Sequence, residues 1–494
     1  MSKRYVFAGT IVLALLFVFF RLYLNCFATF GIDAPLMYSK AAEPFNSLIR
    51  SPYFIPIAVA RNAYMPGSGV AIIYALPMLI SKSPVFVGMI TTLLQLLGVY
   101  FMYLIFVDWF SRRTALITSI LMLFNPWLVY YSIGIWHANL IFVFSCLSFF
   151  SLQRLYLEKY GNKTLYWGLL ALALGGAVQM HMSSFLLIFL SVLFLVFFRI
   201  KPDWKALLIF PSVIFLIFFP YIREEIANNY SNTKAVLSGT TGTIFRLESL
   251  IRSIHFSIIF TSTEITHFAG GGIKKVFAFY SYSPYLSIIS IIGSLLTAYI
   301  SYVIFVVFIK KNANIQNIKA NPMFFMFLTA FVANPLIYFF TPRIFSPHSL
   351  IVIAPLLWIP LASFVENPHK LYLPLLKPEH VFALYIIGAL TAIYLTNVIN
   401  PNQVPAKSVI KIAEYMGRKE NTPFRVIQNN GVIELDAFQA LHKHYFKRDY
   451  YPFAVLSDKE QKLFSVLDNR KDKTSFDNAK IVYKVDNDFS VLEH

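Results

Sequence analysis

Charge is scarce in this sequence: only 13% of its 494 residues are Asp, Glu, Lys or Arg, against 57% hydrophobic and 17% aromatic. A soluble globular domain carries about a quarter charged residues, so a chain made only of soluble domains is excluded. Cysteine is nearly absent. Cys26 and Cys146 fall in or at the edge of apolar runs, so they build neither a disulfide framework nor a thiolate metal site. No internal repeat of fixed period and no low-complexity linker is present, which sets aside solenoids. The apolar runs hold almost no ionisable residues and show no repeat-related halves, which argues against a secondary transporter.

What is there is a series of apolar runs at roughly 5–28, 85–107, 114–132, 137–156, 164–181, 182–199, 205–222, 284–309, 322–340, 347–365 and 380–398. A hydrocarbon core of about 30 Å needs about 20 residues of helix, which satisfies its own backbone groups. The expected fold is therefore an all-α polytopic membrane protein with about eleven transmembrane helices. Lys3 and Arg4 ahead of the first run resemble a secretory signal, but the core is long and no small-residue cleavage site follows, so it is kept as a span. The piece Val70 to Ile80 is short, contains Pro77, and reads as a helix at the membrane interface.

Positive charge sets the orientation, because Lys and Arg accumulate in short cytoplasmic loops. With the N-terminus inside, those loops hold Lys3, Arg4, Arg112, Arg113, Arg154, Lys159, Lys163, Arg199, Lys201, Lys205, Lys310, Lys311, Lys319, Lys370 and Lys377. Of the net charge of +18, residues 1–400 carry most, with 27 basic against 11 acidic residues. The excess is spread over membrane-edge loops, so it records topology and speaks against a nucleic-acid partner.

At Asn400-Pro401-Asn402 the composition turns mixed, and residues 401–494 read as a separate small α/β or α+β domain. Arg425–Gln428 and Lys480–Val485 alternate like strands, while Ser408–Arg418 and Asp458–Leu467 have helical spacing. An odd number of spans puts this domain outside the cytoplasm, with the two long loops at about 29–84 and 223–283. Multi-pass residence in the cell (inner) membrane is expected, since no endoplasmic-reticulum retention signal is present.

Outside the tail, the carboxylates of that outer face are Asp33, Glu43, Glu224, Glu225, Glu248 and Glu264. Asp33 directly follows the first span, with Tyr38 one helical turn onward, in an apolar neighbourhood able to shift its pKa. Spacing alone also reads Asp33-Ala34-Pro35 as a helix start with Asp at the cap. Arg246 and Arg252 lie on an amphipathic stretch, Phe245 to Phe256, that reads as an interfacial helix with snorkelling cations. Glu264 and His267, with His255 nearby, have ligand spacing only if that Ser/Thr-rich loop is helical, so no metal site is assigned.

The order Arg21, Asp33, Tyr38 resembles the GT-C class of membrane glycosyltransferases, in particular the protein O-mannosyltransferase and lipid A aminoarabinose transferase branch. There an Arg in the first span precedes an Asp-Glu pair and a Tyr; here Ala34 replaces the Glu. Tyr64-Met65-Pro66-Gly67 stands where the family has a Pro-containing motif. Asn125-Pro126-Trp127-Leu128-Val129-Tyr130-Tyr131-Ser132 is similar to its Pro-x-x-x-x-Tyr-Ser turn, and His181 stands where relatives often have Lys or His. The resemblance implies a sugar donor on a polyprenyl or dolichyl phosphate, Asp33 as general base, and a glycan, lipid or protein acceptor arriving from outside.

Such a reaction needs cations for the leaving phosphate and no nucleotide fold or other cofactor. Arg343 resembles the family's Arg in the short outer loop before a Pro-rich span, and otherwise reads as a headgroup anchor. Lys274 and Lys275 after Gly270-Gly271-Gly272 are further candidates, with Arg21, Tyr38 and His181 completing the substrate-binding set. Membrane lipids are the surrounding partner. A polymerase or ligase of the O-antigen type, using diphosphate carriers, is the alternative enzyme class.

Topology is testable directly. A C-terminal alkaline phosphatase fusion is expected to be active and a Sec-exported green fluorescent protein fusion dark. The reverse pattern would put residues 401–494 inside and remove the active-site assignment with them.

Overall fold

A computed structural model of the chain describes residues 3–28, 33–43, 53–60, 63–66, 69–157, 161–239, 245–264, 280, 283–340, 345–367, 378–397, 410–411, 424–428, 462–468, 480–485 and 489–493. The helices are α1 (Lys3–Leu24), α2 (Asp33–Ala41), α3 (Gly69–Met78), α4 (Pro84–Trp109), α5 (Arg112–Phe124), α6 (Pro126–Tyr130), α7 (Ile141–Leu157), α8 (Lys163–Met180), α9 (Phe185–Phe197), α10 (Trp204–Ala227), α11 (Ser231–Gly239), α12 (Leu247–Ile259), α13 (Pro284–Asn312), α14 (Ile315–Ala320), α15 (Pro322–Phe340), α16 (Ala354–Leu357), α17 (Ile359–Glu366) and α18 (Pro378–Asn397). Short 3-10 turns at His137–Leu140, Met182–Ser184 and Pro347–Val352 lead into α7, α9 and α16.

Every predicted apolar run falls on helix, and two are interrupted where proline dictates it. Asn125 leaves the helical region (φ −63°, ψ 122°) because it precedes Pro126, and its Oδ1 caps α6 by accepting from Leu128 N at 3.0 Å. In the run at 347–365, Pro347, Pro355 and Pro360 each stand in the first turn of a segment, where a missing N–H costs nothing. Among the described residues, Pro84–Trp109, His137–Leu157, Trp204–Ala227, Pro284–Asn312 and Pro322–Phe340 have the length and apolarity to cross a membrane. The apolar helices Ala14–Phe27, Met182–Phe197, Ala354–Glu366 and His380–Leu395 are shorter.

α7 lies at the centre, buried for most of its length between α4, α8 and the 347–352 turn. α10 is peripheral: it packs chiefly on α8 and leaves Leu207, Leu208, Phe215, Leu216 and Phe219 exposed. A chain in water would not tolerate such a stripe, whereas lipid covers it without cost. Near the other end of α4, Asp108 and Arg154 form a buried ion pair at 2.7 Å, with Gln153 donating to the same carboxylate at 3.1 Å. Pairing is what makes two buried charges tolerable.

Small residues let α13 and α18 approach closely, as expected where no hydrophobic force drives helices together. A methyl built on Gly293 would meet the Gly388 Cα at 3.2 Å, and one on Gly388 would meet Thr263 Oγ1 at 2.8 Å. Along the same face of α13, Ser294 donates to Thr263 O at 2.6 Å and Thr297 Oγ1 lies 2.9 Å from Thr263 Oγ1.

The first long loop holds an antiparallel pair, Tyr53–Ala60 (β1) with Ala63–Pro66 (β2), and the predicted interfacial piece is α3, packed on α2, α4 and α8. In the tail, Phe424–Gln428 (β3), Lys462–Asp468 (β4), Lys480–Val485 (β5) and Phe489–Glu493 (β6) form one sheet in the order β3-β4-β6-β5, parallel between β3 and β4 and antiparallel elsewhere. Both predicted strands are present. The helix expected at Asp458–Leu467 is corrected, because its second half is β4, a central strand whose pairing on both sides overrides local helical spacing. Of the helix expected at Ser408–Arg418 only residues 410–411 are described, and they are helical.

Gly293→Leu is expected to force α13 and α18 apart and to cost about 1–3 kcal/mol, read as a lowered melting temperature in nanodiscs, with Gly293→Ala milder. An unchanged melt in Gly293→Leu would mean that this crossing does not limit stability.

Candidate functional site

The site is built around a segment where helix fails. Between Phe124 and His137 the chain turns repeatedly, with Gly134 at φ 75°, and its carbonyls lose their intrahelical donors. Buried away from water such groups need protein partners, and α1 and α4 supply them. Arg21, fully buried, donates from Nη1 to Leu123 O at 3.2 Å and from Nη2 to Leu128 O at 3.1 Å and Gln95 Oε1 at 2.5 Å. Gln95 passes the interaction on through Nε2 to Tyr131 O at 3.0 Å, and Thr92 Oγ1 donates to Ser132 O at 2.8 Å. Asn25, one turn beyond Arg21 at the start of the short 3-10 turn Asn25–Phe27 that follows α1, accepts from Gly134 N at 2.9 Å and donates to Thr92 Oγ1 at 3.0 Å. From α3, Tyr74 Oη donates to Trp136 O at 2.8 Å.

What this network delivers is Trp136 and His137, set against two further histidines. The His137 ring lies 5.4 Å from that of His181, with planes 4° apart, and His181 lies 5.1 Å from His348. Trp136 closes the circle at 5.4 Å from both His137 and His348. His181 caps the Met182–Ser184 turn, its Nδ1 accepting from Ser183 N at 3.0 Å. His348 Nδ1 lies 2.7 Å from Ser346 Oγ. His137 is buried, and among the described residues its Nδ1 has no hydrogen-bond partner.

α12 holds the approach to His348. Its buried face is a serine stripe, with Ser249 Oγ accepting from Phe345 N at 3.2 Å and Ser253 Oγ accepting from Asn334 Nδ2 at 2.7 Å. Its exposed face carries Leu247 and Ile251 beside the Arg252–Glu248 pair at 2.7 Å, the amphipathic pattern read from the sequence. Asn125 ties this half to the other, donating to Phe260 O at 3.0 Å and to Tyr385 Oη at 3.0 Å.

Of the residues singled out from the sequence, Asp33 heads α2, and Tyr38 of the same helix is buried with its hydroxyl donating to Lys82 O at 2.6 Å. α2 packs on α3, whose Tyr74 reaches Trp136. Glu43, the neighbouring carboxylate, pairs with Lys40 at 2.8 Å. Arg21 and Tyr38 both bond to protein carbonyls, and His181 is at the cluster. Arg343, Lys274, Lys275 and His267 lie outside the described residues. Among the described residues no three His, Cys, Asp or Glu side chains are grouped to hold one metal ion. His137, His348 and Trp136 escaped sequence reading. The available signal was that each histidine stands at the start of an apolar run.

No family model and no curated protein matches the sequence. The structure is similar to that of ArnT from Cupriavidus metallidurans bound to undecaprenyl phosphate, at TM-score 0.55 and 12% identity over 100% of this chain and 98% of that one. The apo state of the same protein matches at TM-score 0.55 and 11% identity over 99% and 98%. The fold is GT-C-like. An oligosaccharyltransferase from Archaeoglobus fulgidus in the apo form matches at TM-score 0.43 and 14% identity over 94% of this chain and 70% of its own, too distant to add weight.

Arg21→Leu is expected to strip donors from two buried carbonyls and Gln95, at about 1–3 kcal/mol for each group left unsatisfied. Arg21→Lys should recover only part, since one ammonium cannot span three acceptors in a fixed fork. Thermal melts in nanodiscs check this. Equal stability of all three proteins would show that the 123–137 segment is held by other contacts.

Proposed function

We propose that the chain is a membrane glycosyltransferase that moves a sugar from a polyprenyl phosphate carrier to an acceptor at the outer face of the cell membrane. The observation that carries this reading is the full-length likeness to ArnT, a protein whose structure contains undecaprenyl phosphate. The order Arg21, Asp33, Tyr38 on α1 and α2 supports it. In this reading the eleven apolar runs cross the membrane, the N-terminus is cytoplasmic, and residues 401–494 form an outer domain.

Asp33 is the general base. Its carboxylate takes the proton of the acceptor hydroxyl as that oxygen attacks the anomeric carbon from the face opposite the phosphate. The bond from the anomeric carbon to the phosphate oxygen breaks, its electron pair leaves with the carrier phosphate, and the anomeric configuration inverts. Arg343, with Lys274 and Lys275, stabilises the negative charge that grows on the leaving phosphate; a guanidinium does this with two parallel hydrogen bonds. Tyr38 and Arg21 serve the site by fixing α2 and the 123–137 segment, and His181 stands at its floor.

Asp33→Asn keeps the size and the helix-capping oxygen, so a protein in which Asp33 is only a cap should retain near-normal turnover. Loss of a general base costs about 10²- to 10⁴-fold. Single-turnover transfer from radiolabelled carrier is therefore expected to fall by that factor with the melt unchanged, while Glu43→Gln behaves as wild type. Wild-type transfer by Asp33→Asn would refute the base assignment. Transfer from diphosphate but not monophosphate donors would replace the reading with the O-antigen class.

A further inference from the structure

α9 and α10 follow one another with only residues 198–203 between them, yet they part at once: α9 packs on α15 and α7, and α10 on α8. Both leave apolar side chains uncovered near the corner, Val192 and Val196 on α9 and Leu207 and Leu208 on α10. The corner lies at the far end of α9 from the histidine cluster, about 20 Å away for a helix of that length. It is basic. Residues 199–205 hold Arg199, Lys201 and Lys205, all exposed, against the single carboxylate of Asp203. Asp203 is engaged as the cap of α10, accepting from Ala206 N at 2.7 Å. Among the described residues none of the three cations forms an ion pair.

Charge bias across a membrane accounts for cations in such a loop, but not for how these are held. α9 ends in a Schellman motif, with Ile200 N donating to Leu195 O at 2.9 Å and Arg199 N to Val196 O at 3.1 Å. The left-handed position of that motif, φ 54°, belongs to Arg199, where glycine would sit without strain. A cation at a helix C-terminus offsets part of the backbone cost, and an anion outside the protein would offset the rest. Trp204 opens α10 with 68% of its surface exposed, and Lys205 Nζ lies 5.7 Å from the centre of its ring. An indole at the root of two apolar helices is the pattern of a membrane interface, and its ring face holds the ammonium at headgroup depth.

We propose that the corner joining α9 and α10 binds an anionic phospholipid, with its phosphate among Arg199, Lys201 and Lys205 and its acyl chains along the apolar sides of the two helices. Those sides need a hydrocarbon cover and the three cations need an anion. A phospholipid of net negative charge joins both in one molecule, whereas a zwitterionic headgroup brings its own ammonium and cancels the attraction. The site does not draw on the transfer reading, and either stands without the other.

The test uses the full chain in phosphatidylcholine nanodiscs that contain a titrated fraction of lipid brominated on its acyl chains, either phosphatidylglycerol or phosphatidylcholine. Bromine quenches indole fluorescence on contact, and the part of the signal lost in Trp204→Phe reports Trp204. Brominated phosphatidylglycerol is expected to quench Trp204 at the lower mole fraction, with the difference shrinking as salt is raised. A cation near the headgroups is worth about fivefold in affinity for anionic lipid. Lys201→Gln and Lys205→Gln are each expected to shift the quenching midpoint by that factor, and the triple variant with Arg199→Gln to abolish the preference. Arg112→Gln with Arg113→Gln, in a different basic loop, should leave it intact. Glycine suits the backbone at 199, so Arg199→Gly is expected to keep its melting temperature in phosphatidylcholine and still lose affinity for phosphatidylglycerol. Wild-type lipid affinity in Arg199→Gly, equal quenching by the two lipids, or a preference that survives the triple variant would overturn the site.

Discussion

A carbonyl released from a helix and buried by its neighbours has no water to turn to, and the protein must answer it with its own donors. That constraint organises the 123–137 segment. Arg21 near the end of α1, Asn25 in the turn that follows it, and Thr92 and Gln95 on α4 receive groups that Pro126 and Gly134 leave unpaired. A buried guanidinium is costly, and here the return is that one side chain fixes two carbonyls and a glutamine at once. The bonds to the segment place Trp136 and His137, and through them one wall of the histidine cluster.

The other walls come from parts of the chain remote in sequence. His181 arrives at the end of α8, and His348 arrives through Phe345, which Ser249 of α12 holds by its backbone amide. Asn125 joins the broken helix to the 260–262 turn and to α18 through one amide nitrogen, whose two N–H groups are shared among Phe260 O, Ser262 O and Tyr385 Oη. Rigid positioning of this kind is what the proposed transfer would require, since the acceptor oxygen and the anomeric carbon must be aligned to within a fraction of an ångström. The exposed apolar stripe of α10 and the buried serine faces of α12 and α13 are two answers to one solvent: lipid covers the first, and small polar residues knit the second.

Several sequence readings changed meaning on folding. Arg21 stood out correctly as an unusual charge in the first span, yet its partners are carbonyls within the chain. Composition could not distinguish those from a phosphate, because an Arg fork suits both. Phe245 to Phe256 read as an amphipathic interfacial helix, and on folding Ser249, Ser253 and Ser257, recurring every fourth residue, form its buried face. The strand Lys462–Asp468 looked helical until its two neighbouring strands were in place.

The sequence by itself determined the helical membrane class, the position of the apolar runs, the change of character after residue 400, and Asp33 as a carboxylate at the start of α2. These depend on local quantities: apolar length, proline position and capping residue type. Only the tertiary structure decided what Arg21 holds, where α12 leans, and that His137, His181 and His348 share one place. Those outcomes depend on contacts between residues far apart in the chain, and a linear pattern of hydropathy carries no term for which helix starts converge.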